Sequence, residues 1–304
     1  MSPRWACWRD LRVDVARRLQ SAGIDGPDIE ARWITETASG ADASEWLEVA
    51  GAQPTDRAVA HVESMTARRA RGEPLQYVIG SWSFRGLDLM VDARVLIPRP
   101  ETEWVVEIAL READRMGVRR SAQRRWGAPT RVAADLGTGS GAIALALEAE
   151  LPDVTVWATD ASPDALAVAT ANVAGSGATR VRVAQGHWFA ALPDELAGAI
   201  DLVVTNPPYV REDELPGLAP EVRDHEPTGA LVSGPTGLEA ITELVGDAPR
   251  WLAPGGVFVC EIAPSQADDA AALARRAGLT DVVVHDDLVR RPRVLVARRA
   301  TSAG

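Results

Sequence analysis

Apolar positions along the chain recur first at helical and then at strand spacing. Up to about residue 75 the rhythm is that of helices. Val13, Ala16, Leu19 and Gln20 follow one face, and Ile29, Ala31, Trp33 and Ile34 make a short amphipathic stretch within Asp28 to Thr37. Pro54-Thr55 opens a further helix through Val59, Val62 and Met65 that closes in Arg68-Arg69-Ala70-Arg71-Gly72. Basic residues and a closing glycine suit a helix C-terminus, where cations meet the carbonyl end of the dipole. A functional basic patch is the sharper reading of the same run. Residues 81–97 alternate apolar and polar about Arg85-Gly86 and predict a hairpin. Helical character returns over 101–117, and the polar segment 119–129 predicts an exposed connection.

From Arg131 the rhythm becomes one of alternating strands and helices. Strands are predicted at 131–136, 154–159, 181–185, 200–205, 256–262, 281–286 and 293–298, and helices at 141–150, 162–174, 236–251 and 265–277. Such alternation makes a mostly parallel sheet covered on both faces, hence an α/β fold. Only a short turn separates the last two strands, so one of them is expected to be antiparallel. The division this predicts is a helical domain over 1–80, a β-hairpin linker over 81–100 and an α/β domain over 101–304.

Composition narrows the class. A length of 304 residues suits two domains, and 46% hydrophobic with 25% charged residues is ordinary for a globular protein. No segment approaches the ~18 uninterrupted apolar residues of a membrane span. The charged N-terminus lacks the apolar core of a secretory signal, which predicts a cytoplasmic protein. Cys7 and Cys260 are too few and too far apart for a metal knuckle or a disulfide framework, and Cys260 reads as a buried strand residue. The four histidines show no ligand spacing, so no metal is expected. A net charge of −11 argues against a nucleic-acid partner, which calls for a basic footprint. All 32 basic residues are arginine. Without lysine, a phosphate loop ending in Gly-Lys-Ser/Thr is impossible.

Candidate chemistry sits at two strand ends. The strand Val132–Leu136 runs into Gly137-Thr138-Gly139-Ser140-Gly141 and a helix. Glycines there allow a sharp turn and a close approach to a ligand. The spacing is G-x-G-x-G, not the G-x-G-x-x-G of dinucleotide sites; a tight turn holding nothing is the plain alternative. Asp160, at the end of the next strand, is placed to accept hydrogen bonds from ribose hydroxyls, with capping of the following helix as the alternative. The strand Asp201–Thr205 leads into Asn206-Pro207-Pro208-Tyr209. Two prolines suffice for a rigid turn, yet they do not explain the asparagine before them or the aromatic after them. A planar nitrogen is a poor nucleophile because its lone pair is delocalised. The Asn206 oxygen and the Pro207 carbonyl can accept its two N–H groups and stabilise the charge that develops, while Tyr209 holds the planar group in line.

Taken together, several segments resemble the release factor glutamine methyltransferase family. They are Glu73-Pro74-Leu75-Gln76-Tyr77 with Gly80, Leu96–Glu103, Asp135–Gly141, Trp188-Phe189, Asn206–Tyr209 and Glu221–Pro227, and the likeness runs over 73–299. It implies a Rossmann-like class I methyltransferase sheet of seven strands, with a small helical N-terminal domain that helps hold the protein substrate. By that resemblance the cofactor is S-adenosyl-L-methionine, and the substrate is the glutamine of the Gly-Gly-Gln motif in class I peptide chain release factors. Gly137, Thr138, Gly139, Ser140, Gly141, Asp160 and Asn206 are then cofactor contacts, and Trp188 covers the adenine, with a core tryptophan as its plain alternative. Asn206, Pro207, Pro208 and Tyr209 grip the glutamine, and Asn206, Pro207 and Tyr209 carry the catalysis. Arg99 and Glu101 read equally as shapers of the substrate entrance or as a buried structural pair. Two positions depart from the family: His187 stands where an acidic residue is usual, and Ala263 where a glycine is common. The rival readings are an amine methyltransferase acting on adenine or guanine, which shares the Asn-Pro-Pro-Tyr element, and an inactive adaptor, which would have a damaged loop or tetrapeptide.

Overall fold

The computed structural model describes residues 5–42, 44–117 and 131–301; the connection expected over 119–129 lies outside them. The chain divides into two compact units, Met1–Ser81 with Ala219–His225, and Trp82–Leu218 with Glu226–Gly304.

The first unit is helical: α1 (Trp8–Ser21), α2 (Pro27–Ser39), α3 (Trp46–Val49), α4 (Asp56–Arg69), α5 (Leu75–Ile79) and α9 (Pro220–His225). Leu11, Val15 and Leu19 of α1 form an i, i+4 stripe that packs on Ala31 and Ile34 of α2 and on Val62 and Met65 of α4. The expected face of α1 is therefore rotated. Val13 is exposed because it lies off that stripe, and Ile29 points outward from the first turn of α2 for the same reason. The Thr55 hydroxyl caps α4 by accepting from Ala58 N at 3.2 Å. The basic run closing α4 is used inside the unit. Arg69, only 5% exposed at its side chain, grips Glu30 at 2.5 and 2.9 Å and Glu221 at 2.8 Å. Arg68 holds Glu73 at 2.5 and 2.8 Å. These are the bidentate ion pairs of a helix end for Arg68 and Arg69, while Arg71 stays exposed.

The second unit begins with a hairpin, β1 (Ser81–Phe84) and β2 (Leu87–Met90). Its turn places Arg85 at φ +48° and Gly86 at φ +78°, the paired left-handed geometry of a tight hairpin. Arg85 is held in that conformation by Glu150, which it contacts at 2.6 and 2.8 Å. Then follow α6 (Pro100–Arg115), β3 (Arg131–Leu136), α7 (Ala142–Glu150), β4 (Val154–Asp160), α8 (Pro163–Ser176), β5 (Val181–Gln185) and β6 (Ile200–Thr205). A small parallel pair, β7 (Val210–Arg211) and β8 (Val232–Gly234), brackets α9 and α10 (Thr228–Leu231). The unit closes with α11 (Glu239–Trp251), β9 (Leu252–Glu261), α12 (Ala267–Arg276), β10 (Thr280–Asp286) and β11 (Pro292–Arg298).

Seven strands form one sheet in the order β10-β11-β9-β6-β3-β4-β5. β11 is the antiparallel member, wedged between β9 and β10. Alternate residues feed two cores. Ala133, Val204, Val257 and Val259 face α6 and α7, whereas Ala134, Val203, Phe258 and Cys260 face α11 and α12. Cys260 is fully buried, as its apolar run implies. Among the described residues no helix is long and apolar enough to cross a membrane.

Arg69→Ala leaves two carboxylates of the first unit without their cation, and removing one partner of a buried pair costs about 3 kcal/mol. Urea denaturation should show the first unit melting well before that of the unaltered protein; an unchanged midpoint would show that the pairs contribute nothing.

Candidate functional site

The chain reverses its direction of travel across the sheet between β3 and β6, since β4 and β5 lie on one side of β3 and β6 and β9 on the other. Ligands bind outside the carboxyl ends of strands at such a switch point. Register places the ends level: Leu136 pairs with Thr159 of β4 and with Thr205 of β6. The Thr205 hydroxyl also donates to Leu136 O at 2.6 Å. The residues that follow these three positions, Gly137, Asp160 and Asn206, are thereby brought to one rim.

Gly137 and Thr138 both donate their amides to Thr159 O at 2.8 Å, turning the chain sharply. The Asp160 carboxylate accepts from Gly139 N and from Ser162 N, each at 2.9 Å, so it braces the loop and the start of α8 together. Gly137 adopts φ +75°, and a Cβ there would come within 3.0 Å of the Trp188 ring. Glycine is required on both counts. Trp188 is itself left-handed at φ +46°, a strained choice for a bulky residue. It packs partly on the α11 core and lines the cavity above the loop.

That cavity encloses about 710 Å³, and Gly137, Gly139, Asp160, Trp188, Asn206 and Pro208 stand in its wall. The other predicted site residues lie behind it. Thr138 is buried and donates to Asp135 Oδ2 at 2.5 Å. Ser140 is buried, its carbonyl taken by the Asn172 amide at 2.8 Å. Gly141 caps α7 at φ +85°, and Pro207 is buried. Tyr209 reaches inward, its hydroxyl 3.3 Å from Glu261 Oε1. Its carbonyl is bound by Gln266 Nε2 at 3.0 Å, and the same nitrogen holds Gly237 O at 2.9 Å. A side chain on Gly237 would collide with Tyr209 O at 2.7 Å.

Sequence reasoning missed two residues beneath the tetrapeptide. Thr102 Oγ1 donates to Glu261 Oε2 at 2.7 Å and accepts from Asn206 Nδ2 at 3.0 Å. Glu261 is buried with 1% exposure, and burial pushes its carboxyl up while Thr102, Arg293 and Tyr209 hold it down. Burial next to Glu261 likewise raises the Tyr209 phenol. The signal was available: an acid closing the apolar strand Val257–Cys260 has no ordinary reason to be there.

Three further positions find their contacts. Arg99 pairs with buried Glu226, whose other oxygen accepts from Ile97 N at 3.4 Å, while Glu101 meets Arg291 at 3.5 Å. Arg99 and Glu101 therefore do not pair with one another. His187 Nε2 lies 3.0 Å from Glu243 Oε2, and both line the cavity, so α11 brings a carboxylate beside the position where the family usually has one. Ala263 has φ −69°, which any residue adopts, so the absent glycine alters nothing in that turn.

Asp135 is fully buried behind the loop, and its Oδ1 finds no hydrogen-bond partner among the described residues. Burial pushes its carboxyl up to about 7, against the opposing bonds from Thr138 and Ala144. An acid with a raised folded pKa contributes most below its unfolded value of about 4 and loses that contribution as pH climbs toward the folded one. The urea midpoint should therefore fall between about pH 4 and 7, with up to about 4 kcal/mol at stake by linkage. Asp135→Asn should flatten the fall, and an equal pH slope in both proteins would refute it.

The chain is similar to known proteins along nearly its whole length. Residues 10–80 match the model of the PrmC N-terminal domain, and 123–219 that of the methyltransferase small domain. A release factor glutamine methyltransferase of Deinococcus radiodurans is 38% identical over 96% of this chain and 98% of its own. One from Streptomyces coelicolor is 40% identical over 95% and 96%. Among solved structures, a methyltransferase from Pyrococcus furiosus superposes with a TM-score of 0.50 at 17% identity, covering 78% of this chain and 99% of that one, a likeness of fold.

Proposed function

We propose, because the chain belongs to the release factor glutamine methyltransferase family, that it methylates the side-chain amide nitrogen of the glutamine in the Gly-Gly-Gln motif of class I peptide chain release factors. The observation that carries this reading is Asn206 on the cavity wall beside Gly137 and Gly139, its Nδ2 engaged behind it by Thr102. The side-chain oxygen is thus the end left to meet a substrate.

S-adenosyl-L-methionine is the methyl donor this reading requires, and the residues present suit it. The cavity is within the ~300–1,000 Å³ usual for small-molecule sites. Trp188 packs directly on the bare backbone of Gly137, and its indole is a flat apolar surface in the cavity wall for a planar base. Asp160 offers carboxylate oxygens in the wall for ribose hydroxyls. When bound, this cofactor supplies an electrophilic methyl group on a sulfonium. We assign Gly137, Gly139, Asp160 and Trp188 to its contacts, and Thr138, Ser140 and Gly141 to the scaffold that shapes them.

The chain's own part is orientation and charge. Asn206 Oδ1 and the Pro207 carbonyl accept the two N–H groups of the substrate amide, which turns its lone pair toward the methyl. These fixed dipoles also stabilise the positive charge that grows on nitrogen, and they need no reorganisation as it does. Pro207 and Pro208 stiffen the backbone that carries them, and Tyr209, tied to Glu261 behind the wall, anchors the far end of that turn. No general base is demanded, because a methylated amide cation sheds its proton readily. The helical domain over 1–80 is assigned to holding the protein substrate.

Purified release factor should gain one methyl group on the motif glutamine, seen by peptide mass spectrometry, when incubated with this protein and the cofactor. Transfer to tRNA or DNA in place of the release factor would overturn the reading. Asn206→Ala should keep cofactor affinity by calorimetry yet lose about 10²–10³-fold in turnover, the loss typical of one transition-state acceptor or donor. Gly137→Ala should do the reverse and fail first in cofactor binding.

A further inference from the structure

We infer that Thr102 and Glu261 are positioning residues that fix which end of the Asn206 amide faces the substrate, an inference that rests on the amide-methylation reading above.

The two ends of a carboxamide are nearly the same size and shape, so packing hardly distinguishes them. Their chemistry is opposite. An oxygen turned to the cavity accepts a substrate N–H, whereas an NH₂ turned there confronts a donor with a donor. Some partner behind the amide must therefore choose. That partner is Thr102, and its choice is dictated from below. A hydroxyl has one hydrogen to give. The Glu261 carboxylate at 2.7 Å has none when ionised, so Thr102 must donate to it. Having given its only hydrogen away, Thr102 Oγ1 can only accept from the amide. The end of Asn206 that meets it at 3.0 Å is therefore Nδ2, and Oδ1 is turned to the cavity.

The other Glu261 oxygen receives the Tyr209 hydroxyl at 3.3 Å. One buried carboxylate thus braces both side chains that the tetrapeptide offers, the amide through a hydroxyl and the ring directly. Its charge is supported by Arg293, which is itself anchored to Ile262 O at 3.2 Å, and is opposed by Glu101. Cys260, next in the strand, is buried and its thiol is pushed well up, so it brings no competing charge. Protonation would undo the selection. A neutral Glu261 can donate to Thr102, whose own hydrogen is then free to point at an inverted amide.

The test compares Thr102→Val, which keeps shape and removes the hydroxyl, with Thr102→Ser, which keeps the hydroxyl. Thr102→Val should lower kcat at least ~10-fold with cofactor Kd changed less than ~2-fold, and Thr102→Ser should recover to within ~3-fold of the unaltered protein, the pattern of an interaction used mainly in the transition state. Glu261→Gln should lower kcat similarly, because its amide can donate to Thr102. Turnover of the unaltered protein should fall at low pH as Glu261 takes up a proton, and Glu261→Gln should lack that fall. A second readout needs no substrate. The Asn206 side-chain NH₂ signal, assigned by its absence in Asn206→Ala, should exchange slowly with solvent in the cofactor-bound protein and quickly in Thr102→Val. Full turnover in Thr102→Val, equal damage in the two Thr102 variants, or unchanged exchange would each overturn the inference. If the unaltered protein leaves release factor unmethylated while the exchange difference stands, the proposed substrate fails and the positioning role survives.

Discussion

The site depends on three parallel strands ending at the same level. Leu136 pairs sideways with Thr159 and with Thr205, so the residues that follow each of them emerge on one rim. A slip of one residue in either pairing would turn Asp160 or Asn206 to the opposite face of the sheet. Register is held by the fit of alternate side chains into two separately packed apolar cores and by the bond from the Thr205 hydroxyl to Leu136 O. Backbone pairing in the middle of the sheet thus becomes angstrom-scale placement at its edge.

Much of this was legible in the amino-acid order. The alternation beyond Arg131 marks every strand of the sheet to within a few residues, because central parallel strands are uninterrupted apolar runs, of which Leu202–Val204 is one. The antiparallel strand followed from a turn too short for a crossover. The face of α1 was harder. Val13 and Leu19 fit a loose helical spacing, but Leu11, Val15 and Leu19 fit a tighter one, and only packing against α2 and α4 decides between them.

The glycine loop and tetrapeptide were visible because their residue types are unusual at strand ends. Thr102 was not, since a threonine in a helix looks ordinary when read along the chain, and Glu261, although odd at the close of an apolar strand, gave no sign of its partners. They meet the tetrapeptide only through folding, from positions 104 and 52 residues away from their partners Asn206 and Tyr209. Likewise Arg99 and Glu226 belong to two recognisable segments, Ile97–Glu103 and Val222–Pro227, whose shared presence is explained by the ion pair that joins them.

The membership of α9 in the first unit carries a consequence for synthesis. Glu221, a partner of Arg69, leaves the ribosome long after the helices it completes. The early helices must therefore wait, with the Arg69 guanidinium paired to Glu30 alone, while much of the sheet is being made. Vectorial folding of this chain is consequently not one unit after the other: the first to emerge is among the last to be finished.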